Sequence, residues 1–149
     1  MPAIIRPALI LLITGVLNTA CAQASLPLAK LGINAHRIKV EVAYTPSARQ
    51  TGLMHRKALP AQQGMLFANP GSDTRCMWMK NTLIPLSVAF IDAQGHILNI
   101  EDMQPNTRDY HCSRAPAQYA LEMNLGWFHE NNVKTGDKVQ GLERLPPGQ

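Results

Sequence analysis

The stretch Cys76–Asp92, CMWMKNTLIPLSVAFID, decides the fold class of this chain. Two apolar runs in it flank the polar step Lys80–Thr82. Leu86–Ile91 is apolar at every position except one serine, which is typical of a strand at the centre of a sheet with both faces covered. Pro85 bounds that strand, because proline cannot donate a ladder hydrogen bond. The pattern predicts a strand at Cys76–Met79, a polar crossing, and a central strand.

Outward from this segment, other short signals follow. Ile38, Val40 and Val42 alternate with charged residues, which predicts a half-buried strand. Thr45 is a good N-cap for a short helix that begins at the following proline and ends before Gly52. Further strands are predicted at Gly64–Ala68, Ile97–Ile100, Tyr119–Met123 and Lys138–Leu142, and a helical turn or two at Gly126–Asn131.

Turns and loops separate these elements, notably the polar segments His55–Gln63, Asn69–Asp73 and Met103–Pro116. The count is about seven short strands and two short helices, without βαβ alternation. Such a pattern favours a mostly β fold with one or two short helices, a compact jelly-roll-like barrel or sandwich.

The first 24 of the 149 residues have the pattern of a secretory signal peptide: a charged start, a short apolar run and small residues. Cleavage is expected before Ser25, which makes the mature protein exported and periplasmic. Cys21 offers an alternative, a lipoprotein cleaved just before that cysteine, but Asn18 stands where an aliphatic residue is usual. Residues 25–37 are then a lead-in, 38–143 a single β-rich domain, and 144–149 a disordered tail.

Removal of the signal leaves two cysteines, Cys76 and Cys112, in an oxidising compartment, where an even pair favours a disulfide. Two buried free thiols are the alternative. The formal net charge of the whole chain is +4, with both signs spread along it. We therefore expect no nucleic-acid partner, and the mature chain has no apolar run long enough to span a membrane. We expect a monomer.

The ordered set of short blocks resembles the bacterial and archaeal family of domain of unknown function 192. The resemblance runs from about Ile38 to Gln140 and rests on Thr45-Pro46, Arg49, Gly52-Leu53-Met54, Arg56, Gly64–Phe67, Trp78–Thr82, Ile84–Leu86, Phe90–Asp92, Gly95, Leu121-Glu122, Asn124, Gly126, Val133 and Gly136-Asp137. It implies a compact, mostly β domain that is often exported, and it implies no activity. Many relatives have serine or a phenylalanine-type residue where Cys76 stands, so the disulfide would belong to a subgroup.

Polar and aromatic residues of these blocks are the candidates for a ligand-binding patch. A cation, amides and a carboxylate beside an indole would suit a small polar ligand, such as a saccharide or a peptide end, or an envelope partner protein. The alternative is that the same residues brace the fold, with Glu122 paired to Arg56 or Arg49. The candidates are Arg49, Arg56, Trp78, Lys80, Asn81, Thr82, Glu122 and Asn124. No cofactor is expected.

Two other functions are weaker hypotheses. An envelope hydrolase would need a nucleophile and a base, and the adjacent His111 and Cys112 form no recognisable motif. A periplasmic Cu(I) site could use thioether ligands, which Cu(I) prefers, although methionine is also a common core residue. The methionines that raise this possibility are Met54, Met77, Met79, Met103 and Met123.

Overall fold

The structure is a computed structural model that describes residues 25–149; the predicted signal peptide and Cys21 lie outside these residues. Short strands account for most of the regular structure in this part of the chain. The strands are β1 (Leu28–Ile33), β2 (His36–Ala43), β3 (Gln63–Asp73), β4 (Cys76–Met77), β5 (Leu86–Ile91), β6 (Ile97–Met103), β7 (His111–Cys112), β8 (Ala117–Asn124) and β9 (Val139–Gln140). The helices are α1 (Pro46–Thr51) and α2 (Trp127–Glu130), followed by a 3-10 turn at Leu142–Arg144.

Seven strands form one curled, half-barrel sheet in the order β6-β5-β8-β3-β2-β1-β9, and β4 pairs with β7 in a separate ribbon. The prediction of a mostly β fold with two short helices is confirmed. Of the six neighbouring strand pairs in this sheet, β2 and β3 run parallel and the other five pairs are antiparallel. The parallel pair was not predicted; its crossover contains α1 and the loop at 52–62.

Both faces of the sheet are buried, so β5 is buried at every position, as its apolar sequence predicts. One face belongs to a first core, which includes Val40, Leu66, Leu121 and the α2 aromatic residues Trp127 and Phe128. The opposite face belongs to a second core, whose larger members are Leu53, Met65, Phe67, Met79, Leu86, Val88, Phe90 and Met103.

Helix α1 begins and ends as its sequence predicts. The Thr45 hydroxyl accepts a hydrogen bond from the Ala48 N–H at 3.2 Å, which satisfies one of the free donors of the first turn. Gly52 ends the helix at a φ of 47°, in the region that favours glycine. A Cβ atom at Gly52 would also approach the Phe67 ring to 3.0 Å, so the glycine lets the chain pass close to the second core.

Three local predictions were wrong. Leu28–Ile33, within the predicted lead-in, forms β1 and pairs with β2; its burial pattern does not alternate, so periodicity gave no signal. Asn69–Asp73, predicted as a turn, lies within β3, where the register with β8 is irregular. The tail, predicted as disordered, is docked: the Gln149 N–H donates to the Tyr44 carbonyl at 2.8 Å.

Candidate functional site

A disulfide joins β4 to β7. Cys76 and Cys112 are directly paired in this ribbon, with their Cα atoms 4.0 Å apart, and Met77 is paired with His111. The predicted disulfide is therefore confirmed, and it closes a loop spanning 36 positions. The ribbon places the residues that follow Met77 beside those that precede His111.

The polar step Lys80–Thr82 belongs to a loop between β4 and β5, and that loop is joined to the one that follows β6. The Met79 N–H donates to the Thr107 carbonyl at 3.2 Å, and the Asn106 N–H donates to the Thr82 carbonyl at 3.0 Å. Thr82 is only 5% exposed. These bonds make one surface of two loops, with Lys80 half-buried on it.

Trp78, Lys80 and Tyr110 form a cluster on this surface, which we call the aromatic patch. The two rings are nearly parallel, with an interplanar angle of 7° and centroids 6.1 Å apart. The Lys80 Nζ lies over the Trp78 ring, 5.3 Å from its centroid. Trp78 is 37% exposed and Tyr110 is 71% exposed. A cation and two solvent-exposed aromatic rings thus lie together on one surface. This combination is suited to stacking on a ligand and to pairing with its charge.

Arg56 and Arg49 lie near α1, as predicted, but both serve the fold. Arg56 makes a bidentate ion pair with Glu41, at 2.7 Å for each hydrogen bond, and these bonds raise the pKa of Arg56. Arg49 Nη1 donates to the Tyr44 and Ala68 carbonyls at 2.8 and 2.9 Å. Burial lowers the pKa of Arg49, in keeping with its position between the strands.

Glu122 pairs with neither arginine, so that prediction was wrong. It lies on β8 between Met65 of β3 and Val88 of β5, and its side chain faces the second core. The residue is 3% exposed. Burial raises the pKa of its carboxyl to about 8, so the group is mostly protonated at neutral pH. No hydrogen-bond partner of this carboxyl is found among residues 25–149.

The other two predicted ligand-binding residues, Asn124 and Asn81, also have structural roles. Asn124 donates from its side-chain amide to the Leu59 carbonyl at 2.9 Å and thereby holds the loop before β3 against β8. Asn81 has a φ of 57°, and its carbonyl accepts the His55 N–H at 2.9 Å, so it shapes a turn. Of the eight candidates, only Trp78 and Lys80 share the aromatic patch.

Sequence reasoning missed Tyr110, although a signal for it existed. In the antiparallel ribbon Cys76 is paired with Cys112 and Met77 with His111, and the next residue on each side of the ribbon is Trp78 and Tyr110, whose rings stack. The predicted disulfide thus pointed to the two segments that meet, but their register comes from β7, which lies in the segment Met103–Pro116 that the sequence predicts as a loop.

Cys112 and three of the five methionines have structural roles, in the disulfide and in the two cores. Cys112 is in the disulfide and is not available as a nucleophile or a thiolate ligand. Met79 and Met103 are buried in the second core and Met123 in the first. Within the described part of the chain, no three His, Cys, Asp or Glu side chains are grouped as a metal ion would require.

A serine, an aspartate and a histidine also line one groove of about 370 Å³, beside β6. The Ser87 hydroxyl donates directly to Asp102 Oδ1 at 2.5 Å and accepts the Gly126 N–H at 2.9 Å. His129 makes no hydrogen bond with either side chain in residues 25–149, so no base is aligned on the hydroxyl. Ser87 is 1% exposed, and its bonds join β5 to β6 and to α2. This arrangement ties elements together and is unlike a nucleophile–base pair.

Comparisons with known proteins agree with the fold. A crystal structure from Sinorhizobium meliloti 1021, named as a candidate transcription regulator, is 35% identical with a TM-score of 0.77, and the match covers 80% of this chain and 97% of that one. A protein of unknown function from Novosphingobium aromaticivorans DSM 12444 is 29% identical with a TM-score of 0.73, covering 77% of this chain and 86% of that one.

No functionally curated protein matches the chain. No helix in residues 25–149 is long and apolar enough to cross a bilayer. The family model for domain of unknown function 192, described as "Uncharacterized ACR", matches residues 29–141. This match takes in the main sheet except Leu28, the first residue of β1, and both loops that carry the aromatic patch. The chain belongs to the family of domain of unknown function 192.

Proposed function

We propose that this protein is an exported, monomeric binding module, without a cofactor, that holds a small polar ligand on the aromatic patch. The observation that carries the proposal is the parallel pair Trp78–Tyr110 with the Lys80 ammonium over the indole. Burial of a large aromatic side chain is energetically favourable. Two neighbouring aromatic side chains that stay exposed to solvent are therefore a common feature of a contact surface.

The character of the patch supports binding over catalysis. An enzyme site is expected to combine a cleft with a titratable group whose pKa is displaced for proton transfer. Glu122, whose carboxyl has a pKa raised to about 8, faces the second core and lines none of the three surface grooves found in residues 25–149 beside β9, β6 and α1. The patch instead offers ring faces, an ammonium group and a phenol hydroxyl, which recognise a ligand without transforming it.

Export is supported by the disulfide and the first 24 residues. Disulfides persist in oxidising compartments and are rare in the cytosol. Cys76 and Cys112 lie in the ribbon that carries Trp78 and Tyr110, so the proposed site depends on the compartment in which the bond forms. A compartment outside the cytoplasmic membrane accounts for both the disulfide and the signal-like pattern of the first 24 residues.

The test uses the two indole N–H signals in NMR spectra of ¹⁵N-labelled protein. Trp78 belongs to the patch and Trp127 to the first core, so the second signal is an internal control. We expect millimolar glucose, glucuronate, N-acetylglucosamine or an alanine dipeptide to shift the Trp78 signal in at least one case, with Trp127 unmoved. Tyr110→Ala should abolish the shift, and Leu28→Ala, at an exposed residue of β1, should not. Absence of any selective Trp78 shift would overturn the proposal.

A further inference from the structure

We infer that the ligand of the aromatic patch is an acidic sugar, a pyranose ring that carries a carboxylate. The inference rests on the proposed function and names its ligand class. Three features carry it: a cation without an ion-pair partner in residues 25–149, an exposed aromatic ring, and an indole ring that lies close to both of them. Each feature excludes a different class of small ligand.

Lys80 supplies the cation. Within residues 25–149, no carboxylate lies at ion-pairing distance from its ammonium, whereas Arg56 and Arg114 each have a glutamate partner. The Trp78 ring attracts the ammonium over its face and so limits the positions that the long side chain takes. A ligand carboxylate that reaches Lys80 therefore meets a charge already held in place, and a cationic ligand would be repelled.

Tyr110 supplies the open face. Its ring is the more exposed of the two and lies parallel to the indole, so the pair presents flat surfaces of one orientation. The face of an aromatic ring is electronegative and attracts C–H groups that carry partial positive charge. A pyranose ring has such a C–H face, together with hydroxyl groups at its rim that can bond the phenol hydroxyl of Tyr110.

The spacing joins the two contacts in one ligand. The Lys80 Nζ is 5.3 Å from the Trp78 centroid, and the Tyr110 centroid is 6.1 Å from it. Because the ammonium and the Tyr110 ring both adjoin the one indole, a sugar ring that contacts the aromatic pair and a carboxylate that pairs with Lys80 can belong to one ligand. The residues before Tyr110 in the sequence, Arg108 and Asp109, are exposed and have opposite formal charges, which sum to zero.

The test compares glucuronate with glucose, which differ only by a carboxylate in place of a hydroxymethyl group, by titration of the Trp78 indole signal at constant ionic strength. We expect glucuronate to bind more tightly than glucose, and sodium acetate to leave Trp78 unmoved because it has no ring to stack. Lys80→Gln should weaken glucuronate binding about five-fold, the upper range for one exposed ion pair, and leave glucose binding unchanged. Lys80→Arg should retain most of the preference.

Lys57→Gln, at an exposed lysine after α1, makes the same change in net charge and should leave both affinities unchanged. Equal binding of glucuronate and glucose, or equal loss with Lys57→Gln and Lys80→Gln, would overturn the acidic-sugar assignment while the binding function stands. A selective Trp78 shift with the alanine dipeptide alone would do the same. If none of glucose, glucuronate, N-acetylglucosamine and the alanine dipeptide shifts the Trp78 signal selectively, the proposed binding function fails as well.

Discussion

Glu122 has an ionisable side chain that lies in an apolar environment. Carboxyl groups are rarely buried without a cation, because the ionised form loses its hydration. Here the flanking positions on β3 and β5 are Met65 and Val88, and the two arginines predicted as partners, Arg49 and Arg56, are bonded to other groups. The side chain avoids the cost of a buried charge by keeping its proton, which makes the stability of the sheet depend on pH.

The first prediction concerns Glu122→Gln. The folded protein keeps the Glu122 proton up to about pH 8, whereas the unfolded chain releases it near 4.5. Between these values the unfolded state binds fewer protons, so the wild-type free energy of unfolding falls as pH rises. Glutamine has the same shape and no charge, so the variant should lack this slope. Thermal unfolding should show similar stability at pH 4.5 and a variant more stable by about 2–4 kcal/mol at pH 8.

Glu143→Gln is the matched control, since it makes the same change at an exposed carboxylate of the 3-10 turn. Its stability should track the wild type across the whole pH range. A Glu122→Gln variant that is less stable than the wild type at pH 8 would mean that the ionised carboxylate is stabilised in the folded protein.

At the scale of elements, the sequence predicted the helices and strands that are determined by residues close together in the chain. The Thr45 cap, the proline after it and Gly52 define α1, and the apolar run Leu86–Ile91 defines β5. β1 was missed because its stability comes from pairing with β2 and β9, which lie later in the chain. The parallel pairing of β2 with β3 was missed for the same reason: nothing in either strand specifies its neighbour.

The second prediction concerns the ribbon of β4 and β7. Each strand has two residues and pairs only with the other, so the Cys76–Cys112 bond holds the ribbon while the seven-stranded sheet has its own two cores. We expect Cys76→Ser with Cys112→Ser to remain folded and to lose up to about 4 kcal/mol of stability. The Trp78–Tyr110 stacking signal in near-ultraviolet circular dichroism should diminish, while the far-ultraviolet spectrum is retained.

Reduction of the wild-type protein by dithiothreitol should reproduce both effects, and it should leave the double variant unchanged. An unaltered aromatic signal after complete reduction, verified by mass spectrometry of the alkylated thiols, would show that the two loops hold the patch without the disulfide. The hydrogen bonds from Met79 to Thr107 and from Asn106 to Thr82 would then be sufficient.

At the scale of the whole molecule, the candidate site was harder to predict than the fold. Arg49, Arg56 and Asn124 have the residue types of a ligand patch, yet long-range pairing brings each one a partner in the chain. A polar side chain in a sequence does not reveal whether a strand far along the chain will satisfy it. Trp78 and Lys80 could be proposed because they adjoin the most apolar segment, and Tyr110 required the ribbon register.

The third prediction concerns the route of the molecule out of the cytoplasm. Signal peptidase cleavage requires small residues one and three positions before the cut, which are Ala24 and Ala22 in this chain. Mass spectrometry of the periplasmic fraction should find a protein that begins at Ser25 and contains one disulfide. Ala24→Leu should leave the precursor uncleaved, and Gln23→Leu, at the unrestricted position between the two alanines, should not. Radioactive palmitate incorporated by the wild type and lost in Cys21→Ala would instead establish a lipoprotein, with its mature chain beginning at Cys21.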